Sequence, residues 1–155
     1  MPQINKGGKY IFGKSLIREN GEMRLPPMAV KEYDIAAEGR VYLFTGSKST
    51  GGFCVTRRRL LEPSKLGHIL TENPSLLTYG APAGEFIPYK GRSYCWTNIT
   101  PDGMLTLTDG MLKSLHLAPG MELLSIRSSD IAFTMGAKEP LLEKEKLFDG
   151  KIEVF

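Results

Sequence analysis

Three consecutive arginines, Arg57 to Arg59 in the stretch TRRRL, form the densest basic run of this 155-residue chain. Guanidinium groups bind phosphate in a planar fork, and a stripe of Lys and Arg supplies most of the sequence-independent affinity for a phosphate backbone. The same run also fits the solvated end of a strand, because a charge run alone does not separate the two. Its surroundings are basic too: residues 9–62 hold 10 Lys or Arg against 6 Asp or Glu, whereas residues 90–138 hold 5 against 4. Lys14, Arg18, Arg24 and Lys31 complete the candidate phosphate-contacting set with Arg57, Arg58 and Arg59. Glu22 lies among them as a repulsive neighbour.

Other chemistries find little to work with. Cys54 and Cys95 have no C-x-x-C or His spacing that would make a metal site or a catalytic thiol, so they read as buried reduced thiols. His68 and His116 have no acid or Cys at triad or metal spacing. KGGK at residues 6–9 and GSKSTGG at residues 46–52 are glycine-rich, but neither has the G-x-x-x-x-G-K-[ST] order that cradles nucleotide phosphates. The expectation is a protein that is not an enzyme, with no metal and no cofactor. No window has about 18 consecutive apolar residues and the N-terminal stretch lacks an apolar signal core, which predicts a cytoplasmic, non-membrane protein.

The elements that must position the cations come twice. Asn20-Gly21 and Asp102-Gly103 both suit a tight type I′ hairpin turn. From there Leu25 falls on Leu107, Lys31 on Lys113, Ile35 on Leu117 and Ala36 on Ala118, all 82 residues apart. Dropping one residue then matches Gly39 with Gly120, Tyr42 with Leu123 and Leu43 with Leu124. Each copy reads as strand, turn, short strand, two turns of helix, turn and two further strands. In the first copy the strands are expected at residues 14–18, 23–25, 40–44 and 53–56, with Pro27 opening the helix. In the second, Thr108 or Asp109 caps a helix whose apolar stripe is Met111, Leu112 and Leu115. One copy would leave a side of its sheet uncovered, so the two must share a core.

The order of a G-x-Φ-x-Φ-P hairpin, a short helix, an A-x-x-G or A-P-G turn and a second hairpin resembles the AbrB/SpoVT/MazE family of swapped-hairpin proteins. The resemblance implies a mainly β fold, a tandem swapped-hairpin β-barrel with short helices, in which one chain forms the pseudo-dimer that two subunits make elsewhere. It also implies duplex DNA binding and transcription regulation, with the first hairpin and helix as the contact surface. Lys31 and Lys113 match a basic helix position of the family. A monomeric pseudo-dimer or a homodimer would both be compatible.

The copies are expected at residues 9–60 and 90–138. Residues 61–89 form an ordered connector, with a helix opening at Pro63, setting Leu66, Ile69 and Leu70 on one face and stopping at Pro74, and with Lys90-Gly91 near a following hairpin turn. Residues 139–155 form a tail that begins as a helix near Pro140 and ends in KIEVF, a possible edge strand. The rival to DNA binding is a protein-interaction or antitoxin-like module that uses the barrel as scaffold and the tail or connector as its partner surface. For the tail, docking back on its own barrel is the preferred reading.

Overall fold

Pro26-Pro27 ends one strand and starts a helix, and the same switch recurs at Thr108-Asp109. The computed structural model describes residues 3–4, 10–45, 51–137 and 153–155. Within them the first copy contains β2 (Tyr10–Leu16), preceded by β1 (Gln3–Ile4), then β3 (Glu22–Arg24), α1 (Pro27–Tyr33), β4 (Arg40–Thr45) and β5 (Phe53–Thr56). The connector carries α2 (Arg58–Leu61), α3 (His68–Glu72), α4 (Pro74–Leu77) and β6 (Ile87–Tyr89). The second copy contains β7 (Arg92–Asn98), β8 (Met104–Thr106), α5 (Asp109–Leu115), β9 (Glu122–Arg127) and β10 (Phe133–Gly136). Residues 46–50 of the glycine-rich loop and the expected tail helix lie outside the described residues.

The copies interleave. An antiparallel eight-stranded sheet runs β1-β2-β9-β10-β5-β4-β7-β6, and a separate two-stranded ribbon joins β3 to β8. Thus β2 pairs with β9 of the other copy, and β7 with β4. Among the described residues the large sheet is open, with β1 and β6 at its edges, in place of the expected closed barrel.

The register reveals a pseudo-twofold axis. In the ribbon Met23 faces Leu105, its own counterpart 82 residues on, and at the centre of the large sheet Cys54 faces Thr134, 80 residues on. The 82-residue register persists through β4 and β9, since Ile17 donates to Met121 O at 2.9 Å where Ile99 donates to Gly39 O at 3.1 Å. The expected one-residue gap before these strands is therefore absent. Two residues are lost later, in the loop before β10.

The hairpin turns differ from the expected type. Gly21 N–H donates to Arg18 O and Gly103 N–H to Thr100 O, both at 2.9 Å, and only the glycine of each turn has positive φ, +84° and +86°. This is a three-residue loop with a left-handed glycine, a geometry that Pro101 already favours because its ring fixes φ near −65°. The two-residue turn with both central residues at positive φ is found at Lys90 (+46°) and Gly91 (+84°), between β6 and β7.

Period-two alternation decides which core each side chain joins. Val41 and Leu43 of β4 enter the main cluster under the ribbon and helices, with Leu25, Ala29, Tyr33, Leu105, Met111 and Leu115, while Tyr42 faces the opposite side. There Tyr42 and Tyr94 are covered by Leu61, Ile69, Leu70 and Leu76 of the connector. Each fully buried Leu or Phe contributes about 1.5–3 kcal/mol, so the connector is part of the fold. Its helices differ from expectation: α2 starts at Arg58, Pro74 opens α4 where a stop was expected, and Leu66 is exposed.

Burial pushes the Cys95 thiol up to about 12 and shifts Cys54 in the same direction. Both cysteines are free and buried. At pH 8 neither is expected to react with an aromatic disulfide reagent until denaturant is added, whereupon both should titrate. Rapid labelling of the native protein would contradict this packing.

Candidate nucleic-acid interface

The structure sorts the seven candidate cations by whether a carboxylate already holds them. Lys14, mostly covered, lies 3.4 Å from Glu122 of the second copy. Its backbone is also occupied, donating to Glu153 O at 2.8 Å and accepting from Phe155 N–H at 2.7 Å. Arg24 reaches Asp102 of the second hairpin turn at 3.0 Å. A hydrogen bond from Thr100, with the Arg24 charge as a smaller cause, holds the Asp102 carboxyl below its ordinary range. Arg57 is largely buried and clamps Glu38 at 2.9 Å while donating to Tyr33 O at 3.1 Å, which ties α1 to the start of α2. It is a structural cation. Arg58 makes only a loose contact with Glu62, 3.7 Å away on the same helix.

Arg18, Lys31 and Arg59 are exposed and pair with no carboxylate among the described residues. Arg18 opens the first hairpin turn, where Asn20 bonds the Glu22 carboxylate and limits that anion's reach. Lys31 lies in the last turn of α1. That helix stands beside the second hairpin turn, since a Cβ built on Gly103 would come within 2.7 Å of Val30 Cγ2. The ribbon has the first turn at one end, where Gly21 meets Leu107 ahead of α5, and the second turn at the other, beside α1, so Arg18 stands at one end and Arg24 and Lys31 toward the other. Arg58 and Arg59 belong to a separate neighbourhood, on a helix and not at the strand end that their spacing also allowed.

No protein-family model, curated protein or solved structure matches the chain. Among the described residues no group of His, Cys, Asp and Glu could hold a metal ion, and no helix is long and apolar enough to cross a membrane. The residues can present unneutralised cations beside two exposed turns. Glu153 to Phe155 lie along β2, on the side away from β9, and Phe155 covers Gly13, where a Cβ would meet its ring at 2.6 Å. That part of the tail is engaged with the chain's own sheet.

Sequence reasoning missed the grouping of Arg40 and Tyr79 with Trp96. Arg40 lies 4.4 Å from the Tyr79 ring centre and 5.5 Å from that of Trp96, and Tyr79 stacks on Tyr42. No spacing could have signalled the group, because its members come from β4, the connector and β7.

Proposed function

We propose that the chain is an AbrB-like swapped-hairpin pseudo-dimer that binds duplex DNA and regulates transcription. The observation that carries the reading is the crossed pairing of the copies, β2 with β9, β7 with β4 and β3 with β8. It sets the two hairpin turns at the ends of one ribbon, with α1 beside the second, and Arg18 and Lys31 pair with no carboxylate among the described residues. The contact surface runs over the first turn, the ribbon and α1, with Arg18 and Lys31 as the principal phosphate contacts. Arg24 contributes less because Asp102 holds it, and Lys14 and Arg57 serve the fold.

The test is an anisotropy titration with duplex DNA at two salt concentrations. Binding should fall steeply with salt, and each phosphate contact removed should reduce the log–log slope by about 0.9. Arg18→Glu with Lys31→Glu should abolish binding, Glu22→Arg should strengthen it, and Lys113→Glu in the less basic second copy should change it little. Wild-type protein with no salt-sensitive duplex binding at micromolar concentration would overturn the reading.

A further inference from the structure

The pseudo-twofold axis allows each site to be compared with its counterpart in the other copy. Lys14 and Glu122 form an ion pair across β2 and β9. The residues 82 positions away are Trp96 and Arg40, which meet as cation and ring across β7 and β4. One side is neutralised. The other keeps its positive charge on an aromatic floor.

Around Arg40 lies a cleft of about 470 Å³, lined by Glu38, Arg40, Arg58, Arg59, Glu62 and Tyr79. That volume is within the range of small-molecule sites. Of its two carboxylates, Glu38 is consumed from behind by the Arg57 guanidinium at 2.9 Å and by the Arg59 backbone N–H at 3.2 Å. Glu62 meets Arg58 only loosely, at 3.7 Å. Arg40 and Arg59 pair with no carboxylate among the described residues. Three guanidinium groups therefore face one cleft with a single weakly engaged anion among them. Tyr79, which forms the floor, has φ of +57°, a backbone region that aromatic residues rarely adopt and that persists where the surroundings impose it. Tyr42 stacks beneath it and Trp96 meets it edge-on, so the floor is rigid.

We infer that this cleft is a separate binding site for a small phosphate monoester, with the phosphate dianion held by Arg40, Arg58 and Arg59. Guanidinium forks match phosphate oxygens in pairs, and Arg40 is oriented by its ring contacts before any ligand arrives. The site sits where the connector meets β4, so a ligand would bridge the connector to the first copy. The inference is independent of duplex binding through Arg18 and Lys31.

Trp96 is the only tryptophan of the chain and lies 5.5 Å from Arg40, which makes its fluorescence a direct reporter. The full-length protein is titrated at constant ionic strength with inorganic phosphate, with a nucleoside monophosphate, and with a short duplex DNA. A saturable change in Trp96 emission with either small phosphate is expected. Arg58→Gln with Arg59→Gln should weaken it at least tenfold, whereas Arg18→Gln with Lys31→Gln should leave it within twofold. Arg59→Lys, which keeps the charge and loses the fork, should fall between. Unchanged circular dichroism in each variant separates lost binding from lost fold, and the single Arg59→Gln variant serves if the double one does not fold. A response matched by chloride, one indifferent to the arginine substitutions, or one produced by duplex alone would overturn the inference.

Discussion

Cut after Gly80, the chain should yield two fragments that do not fold as monomers. Residues 1–80 retain β2 without β9, β4 without β7 and β3 without β8, so every cross-copy ladder loses its partner. Met23, Leu25 and Ile17, fully buried in the intact protein, would face water. A few short strands and two turns of helix do not hold without such cover. Mixed in equal amounts, the fragments should recover a 1:1 complex with the circular dichroism of the intact protein. Sedimentation and amide exchange read the outcome, and two independently folded monomeric halves would refute the shared core.

The charges also specify which halves associate. In a homodimer of residues 1–80, Lys14 would meet Arg40 where the intact chain has Lys14 beside Glu122, because Arg40 and Glu122 are equivalent. Arg24 would face Asn20 in place of Asp102, and Glu32 would face Thr45 in place of Arg127, which it now holds at 2.7 Å. All three of these cross-copy ion pairs among the described residues thus belong to the mixed arrangement only. Exposed pairs add little stability individually, but a like-charge contact disfavours the wrong partner. Association of the first half with itself should therefore be weaker than with the second and should strengthen with salt.

The repeat was legible because apolar and turn residues recur at fixed spacing, and the helices at Pro27 and Thr108 followed from local chemistry. Thr108 does accept the Met111 N–H, at 3.2 Å. Less legible was everything set by tertiary contact. Leu66 has the spacing of an inward residue, yet α3 begins only at His68 and leaves it in solvent. The arginine run could be counted but not partitioned, because the Arg57 guanidinium is claimed by Glu38, 19 positions earlier, while Arg59 gives that carboxylate only its backbone N–H. Glycine at a turn likewise announces positive φ without saying which turn: the loop at Asn20-Gly21 is lengthened by one residue because Arg18 and Glu22 close it.

Those two turn glycines should respond unequally to the same substitution. Gly21→Ala is expected to cost roughly 3 kcal/mol, and Gly103→Ala only about 1–2 kcal/mol. Both have left-handed φ, so the backbone strain of adding a Cβ is shared. Their surroundings differ. At Gly21 the new carbon would stand 2.1 Å from Leu107 O, a backbone atom of the other copy fixed by the ribbon, and it would disrupt the 2.8 Å bond from Leu107 N–H to Gly21 O. At Gly103 the obstacle is a Val30 methyl at 2.7 Å, and a half-buried side chain can turn aside. At about 2–4 °C per kcal/mol for a chain of this size, Gly21→Ala should lower the melting midpoint by roughly 6–12 °C. Equal losses at the two positions would mean that φ strain alone sets the cost; no loss at Gly21 would mean that the ribbon does not close over that turn.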